Sequence, residues 1–240
     1  MKALLSKRGI LKLLNIFTNC GDVAYKKFTI LETYKSFIDT FGEQELAVYM
    51  DIHPNKWIAP AYAKRIKKHL GVDPIITNGL AEGYVRAIEN AKDEYIFMLE
   101  HDWTFQNIDH SLDEIIDLMK KESLCYMKFN RFPNRHYEWL DKWETDMIPK
   151  DGYCLTDNIS NNPHILNVQY YKDNVIKNID KYAIKSFGIE QNLEKTFWGA
   201  VYGNIGHPAT LNHIDGRHSN RAILARKARR RERLLSDRQE

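Results

Sequence analysis

Glu100 and Asp102, two carboxylates one residue apart, close an apolar run that reads Tyr-Ile-Phe-Met-Leu-Glu-His-Asp-Trp from Tyr95 to Trp103. A strand through Ile96, Phe97, Met98 and Leu99 would be buried on both faces of a sheet. Its acids would then emerge at the carboxyl end, where open α/β sheets bind ligands. Hard divalent cations are held by one or two carboxylates together with substrate phosphates, so the pair suits Mg2+ or Mn2+ carrying a diphosphate. The same spacing also closes many strands in an ordinary polar turn, and the elements around it decide between the two. His101, between the acids, points to the opposite side of an extended chain and reads as structural.

Those elements alternate. Leu11 to Thr18 reads as a first strand, followed by a polar turn and a helix from about Phe28 to Phe41. Leu46 to Met50 is a short apolar strand ending in Asp51, Pro60 to Leu70 a basic helix, and Ile75 to Ile76 a brief third strand. Gly79 and Gly83 open the next element, a helix over Glu82 to Ala91 that leads into the strand at Tyr95. A helix over Ser111 to Lys121 and a strand over Leu124 to Phe129 follow, and then the pattern becomes irregular. Strand and helix in alternation require a mainly parallel sheet flanked by helices, with right-handed crossovers.

Composition bounds the class. With 240 residues, 43% hydrophobic and 12% aromatic, the chain can fold as one α/β domain with a sizeable core. The three cysteines, Cys20, Cys125 and Cys154, are an odd number with no Cys-x-x-Cys, which argues against a disulfide framework or a zinc knuckle and fits a reducing cytoplasm. Met1 to Leu14 carries no secretory signal pattern, and no apolar stretch approaches the roughly 18 residues of a bilayer span. The net charge of +3 is uneven: nine Lys or Arg against three acids from Arg217 to Glu240 leave that segment at +6 and the remainder at −3. Residues 221–235 have the composition of a basic helix. Three uses fit it: contact with nucleic-acid phosphates, contact with an anionic membrane surface, or a solvated helix packed back on the domain. No Gly-x-x-x-x-Gly-Lys-Ser/Thr, Gly-x-Gly-x-x-Gly, Gly-x-Ser-x-Gly or His-Glu-x-x-His is present, which removes support from kinase, dehydrogenase and hydrolase readings.

The order of these pieces resembles the GT-A type nucleotide-sugar glycosyltransferases over most of the chain. The resemblance is carried by Phe17-Thr18-Asn19 at the first strand's end, Val48-Tyr49-Met50-Asp51 at the second, Asn78-Gly79-Leu80 before a helix, and Glu100-His101-Asp102 in place of the family's Asp-x-Asp. Glu100 departs from the family pattern but keeps a carboxylate on a longer arm. The resemblance implies a GT-A type fold over residues 1–219, with a nucleotide-binding half, 1–105, an acceptor half, 106–219, and a basic helical tail over 220–240. It implies that Thr18, Asp51, Asn78 and Gly79 lie around the donor, a UDP-sugar by preference, and that Asp102 and Glu100 hold Mn2+ or Mg2+. Asp51 and Thr18 also have an ordinary use, in hydrogen-bonding the turns that follow them.

The carboxyl half would complete such a site. Phe187-Gly188-Ile189-Glu190-Gln191 resembles the family's Gly-x-Glu-Asp segment, which makes Glu190 the candidate base of an inverting transfer. As an acid at a helix start it has a structural reading too, and Gln191 stands where an Asp is expected. His213 is the candidate final metal ligand, ahead of His218 and His207. The segment holding Arg131, Phe132, Arg135, His136, Tyr137, Trp139 and Trp143 combines aromatic faces with guanidinium groups and suits an acceptor glycan or nucleic acid, with Arg131, Arg135 and Trp139 as its contacts. The reading is therefore a metal-dependent glycosyltransferase acting on a hydroxyl, with a modified base in DNA as one acceptor, as in some bacteriophage enzymes, and surface polysaccharide or lipid-linked glycan as the other. A non-catalytic nucleotide-sugar or nucleic-acid binding protein is the alternative of a different class.

Overall fold

The computed structural model of the chain describes residues 13–52, 57–134, 147–157, 159–178 and 199–214. Nine strands form one sheet. In chain order, β1 is Leu13–Asn19, β2 Glu45–Asp51, β3 Ile75–Thr77, β4 Tyr95–Glu100, β6 Tyr126–Lys128, β7 Ile148–Pro149, β8 Tyr153–Thr156, β9 His164–Asn167 and β10 Gly199–Tyr202. Their spatial order is β3-β2-β1-β4-β9-β6-β10-β8-β7. β1 to β4 run parallel, as does β10 with β6, while β9 lies antiparallel between β4 and β6, and β8 antiparallel between β10 and β7. A separate two-stranded ribbon pairs β5, Trp103–Phe105, with β11, Leu211–His213.

The helices cover both faces for reasons visible in their residues. α1 (Asp22–Lys27) and α2 (Thr29–Phe41) meet at Phe28, whose left-handed backbone, φ 52°, turns one into the other. α2 buries Ile30, Thr33, Phe37 and Phe41, a stripe at spacings of three and four, and stops at Gly42. α3 (Ala59–Leu70) starts with Pro60 in its first turn and ends at Gly71 in the left-handed region, φ 77°, which glycine occupies at low cost. α5 (Leu112–Lys121) starts in a reciprocal capping box between Ser111 and Glu114. These helices pack on one face of the sheet, where Phe37, Phe41, Phe97, Phe105 and Phe129 meet ring to ring. α4 (Leu80–Asn90) covers the other face, because the chain must cross back from β3 to β4 on that side if the crossover is to be right-handed.

Most expected elements fall within two residues of the observed ones. The strand expected over Leu124 to Phe129 is shorter, Tyr126–Lys128. The turn expected before α2 contains α1. The irregular stretch holds the antiparallel strands β8 and β9 and a short helix, α6 (Val168–Tyr170), continued by a π-helical turn over Tyr171–Val175. The basic tail lies outside the described residues. Cys20, Cys125 and Cys154 are free thiols, and among the described residues no helix is long and apolar enough to cross a membrane.

Candidate active site

The order of the sheet reverses between β1 and β4: strands to one side follow β1 in the chain, and those to the other follow β4. A crevice outside the carboxyl ends is the expected consequence of such a switch point. Thr18, Asn19 and Asp51 lie at that edge, since Thr18 pairs with Met50 and Asn19 with Asp51 across β1 and β2. The Thr18 side chain is buried, with Oγ1 2.9 Å from the Tyr62 hydroxyl on α3 and donating to the Asn19 carbonyl at 3.2 Å. Burial pushes the Tyr62 phenol up to about 12, so this hydroxyl stays protonated. The Asp51 carbonyl accepts from Cys20 N at 3.1 Å, which ties the end of β2 to the turn after β1.

Asn78 and Gly79 precede α4 at the same edge. Asn78 donates its main-chain N–H and its side-chain amide to Glu82 Oε2 at 2.9 and 3.0 Å. Those bonds, the main-chain one first, hold the Glu82 carboxyl below its usual range, and Arg86 sits 2.6 Å away on the next turn. Asn78 thus anchors the start of α4. Gly79 is extended there, with φ 162°.

The acid pair divides. Glu100 ends β4 beside Phe17 on β1, on the face carrying Ile96 and Met98, whereas the chain leaves the sheet after His101. The His101 N–H still donates to the Phe17 carbonyl at 2.9 Å, and its side chain is buried. Asp102 is 1% exposed, and its Oδ2 lies 3.3 Å from His213 Nε2. The β5–β11 ribbon makes this contact: Trp103 pairs with His213, their rings meet edge to face at 4.4 Å, and Ile214 N donates to the Asp102 carbonyl at 2.9 Å.

Among the described residues no three His, Cys, Asp or Glu side chains converge as a metal cage. Two do, and their chemistry fits a hard cation that takes its other ligands from phosphates and water. Neighbouring ligands at about 2.1 Å from an octahedral ion stand roughly 3 Å apart, close to the observed 3.3 Å between Oδ2 and Nε2. The structure therefore brings His213 to Asp102, and among the described residues Glu100 does not complete a group of three with them.

Of the residues expected to contact an acceptor, Arg131 has its guanidinium 4.5 Å over the Phe132 ring, and burial lowers its pKa. Arg135, Trp139, Glu190 and His218 lie outside the described residues. His207 Nε2 lies 3.7 Å from Asp109 Oδ2. The sequence reading missed the polar network behind Arg131. Asn134 donates to the carbonyls of Tyr202 and Gly203 at 2.7 and 3.0 Å and accepts from Asn130, and Asn130 N donates to Thr210 Oγ1 at 2.8 Å. This network fastens the loop after β6 to the strap from Gly203 to Thr210 that leads into β11. Its only trace in the sequence is a pair of Asn four residues apart in a loop.

No protein-family model and no curated protein sequence matches the chain. Solved structures do resemble it. Residues 1–349 of S. aureus TarS in complex with UDP align with TM-score 0.53 at 12% identity over 83% of this chain and 59% of that one. TarS 1–349 in another crystal structure gives 0.52 at 12% over 86% and 61%, and a further TarS structure gives 0.51 at 12% over 85% and 36%. The chain thus spans about three-fifths or less of the TarS chains it resembles. The likeness is one of fold: a large, mostly parallel sheet flanked by helices, of the GT-A type.

Proposed function

We propose that this protein is a metal-dependent glycosyltransferase that moves a sugar from a nucleotide-sugar donor, a UDP-sugar by preference, to an acceptor hydroxyl. The observation that carries this is the buried Asp102 carboxylate 3.3 Å from the His213 imidazole, at the carboxyl edge of a GT-A type sheet. The UDP held by the TarS structure of like fold supports the choice of nucleotide.

Asp102 and His213 would hold Mn2+ or Mg2+, which when bound neutralises charge building on the departing diphosphate. Thr18, Asp51, Asn78 and Gly79 border the crevice and orient the nucleotide. The reaction breaks the bond from the sugar's anomeric carbon to the phosphate oxygen and forms one to the acceptor oxygen. Glu190 accepts the acceptor's hydroxyl proton, and attack on the face opposite the departing diphosphate inverts the anomeric configuration. Arg131, Arg135 and Trp139 would contact the acceptor. For that acceptor, a modified base in DNA is favoured by the +6 charge of residues 217–240. A glycan is the competing substrate.

Calorimetric titration of nucleoside diphosphates and nucleotide sugars, with Mn2+ and with chelator, on the wild type and Asp102→Ala tests the donor site. Binding that needs the metal and vanishes in the variant is expected. No binding across the panel would reduce the likeness to TarS to fold alone. A product that retains the donor's anomeric configuration would remove Glu190 from its role.

A further inference from the structure

α3 has two opposite sides. Ala59, Tyr62 and Ile66 are buried in the core, whereas Trp57, Ala61, Lys64 and Lys68, at spacings of four, three and four, are exposed along the outside. Trp57 is 78% exposed, while the next large apolar side chain among the described residues, Phe132, is 46% exposed. The four cations of α3 divide as well. Arg65 donates to the Tyr25 carbonyl at 2.7 Å and lies 4.1 Å over the Phe28 ring, which fastens α1 to α3. Lys67 pairs with Asp73 at 2.7 Å. Lys64 and Lys68 have no such partner among the described residues, and α3 contains no acid.

Lys64 and Lys68 stand one turn apart, about 6 Å along the axis, and Trp57 lies about 10 Å beyond Lys64 toward the helix start. That start is the crevice end. α3 returns between the parallel strands β2 and β3, and the Tyr62 hydroxyl in its first turns meets Thr18 Oγ1 at the end of β1. The chain's own basic segments do not suit this side. Lys2, Lys7, Arg8 and Lys12, with no acid among them, give residues 1–12 a charge of +4, and residues 217–240 carry +6, so both are repelled by Lys64 and Lys68. A row of phosphates is the complementary partner. A lipid surface fits less well, because membrane affinity grows with buried apolar area and the apolar side of α3 is already spent in the core, leaving one indole. In a duplex the base faces are stacked out of reach; in a single strand they are open to an aromatic ring.

We propose that the outer side of α3 is a docking surface for a single strand of nucleic acid. Lys64 and Lys68 hold its phosphates, and Trp57 stacks on a base at the mouth of the crevice. Every base has a face to stack, so the surface takes strands of varied sequence. Delivery of that base to the crevice rests on the nucleic-acid acceptor named above, but the docking does not.

Fluorescence anisotropy of a labelled oligothymidylate tests this, titrated at several salt concentrations with the full chain, Lys64→Gln/Lys68→Gln, Trp57→Ala, Trp57→Phe and a chain lacking residues 221–240. The lysine variant should bind about 10- to 50-fold more weakly near 0.1 M salt, and the slope of log affinity against log salt should become shallower by about 1.4, two phosphate contacts' worth. Trp57→Ala should weaken binding about 5- to 100-fold with the slope unchanged, and Trp57→Phe should recover most of the loss. All three replacements are on exposed positions, and urea midpoints equal to wild type would exclude misfolding as the cause. An affinity unchanged in either the lysine variant or Trp57→Ala would overturn the surface. If removal of residues 221–240 alone abolishes binding, the surface falls and the nucleic-acid acceptor stands without it. A full chain that binds neither the oligothymidylate nor duplex DNA would overturn both. Binding to phosphatidylserine vesicles that needs Trp57, with oligothymidylate binding that does not, would assign this side of α3 to a membrane instead.

Discussion

Asp102 is almost wholly withdrawn from water, yet the side chain that the ribbon sets against it is an imidazole. Burying a carboxylate is expensive unless it is paired, and the His213 imidazole lies against this one. If both side chains share a cation, His213→Ala should raise the Mn2+ concentration needed for half-maximal UDP binding about 10- to 100-fold. An unchanged metal requirement would leave His213 as packing for Trp103. His164 gives a prediction of a different kind. Its pKa falls from 6.5 to about 4 on folding, so the unfolded chain binds the proton more tightly. The neutral imidazole's contribution is complete above pH 6.5, is lost as pH drops toward 4, and amounts to roughly 3 kcal/mol across that window. Urea midpoints measured from pH 7 to 4 should fall less steeply for His164→Gln than for the wild type.

The elements that deliver these residues are short and depend on close contacts. β11 is reached through the strap from Gly203, where φ is 86° and an added Cβ would meet the His207 ring. Gly203→Ala should cost about 1 to 3 kcal/mol and displace the strap, so that Mn2+-dependent UDP binding weakens together with stability. Ser111→Ala is the matched comparison. It removes an exposed cap from α5 and should cost about 1 kcal/mol with UDP affinity unchanged. If both variants bind UDP like the wild type, the strap does not set the position of His213.

For the whole molecule, a ligand held only by the native state stabilises it by mass action. UDP with Mn2+ at a hundred times its dissociation constant should raise Tm by roughly 5 to 10 °C, and Asp102→Ala should show no such rise. The charge asymmetry tests the acceptor at the same scale. Duplex DNA binding that weakens steeply with salt and disappears when residues 221–240 are removed would favour DNA; a salt-independent or tail-independent interaction would favour a glycan.

Alternation of apolar runs and amphipathic stretches, with Gly79 and Gly83 opening α4, was enough to place β1 to β4, the helices between them other than α1, and the acids at the end of β4. Period and turn chemistry are local properties, and a parallel sheet built from consecutive units obeys them. The strands β8 and β9 were not legible because each is four residues long and its burial comes from neighbours distant in the chain. For the same reason the sequence could propose Glu100, Asp102 and His213 together but could not sort them. Glu100 and Asp102 are two residues apart, yet the chain leaves the sheet between them. Asp102 and His213 are over a hundred residues apart, yet the β5–β11 ribbon closes that distance to 3.3 Å. Residue type fixes which chemistry is available; only tertiary pairing decides which side chains meet.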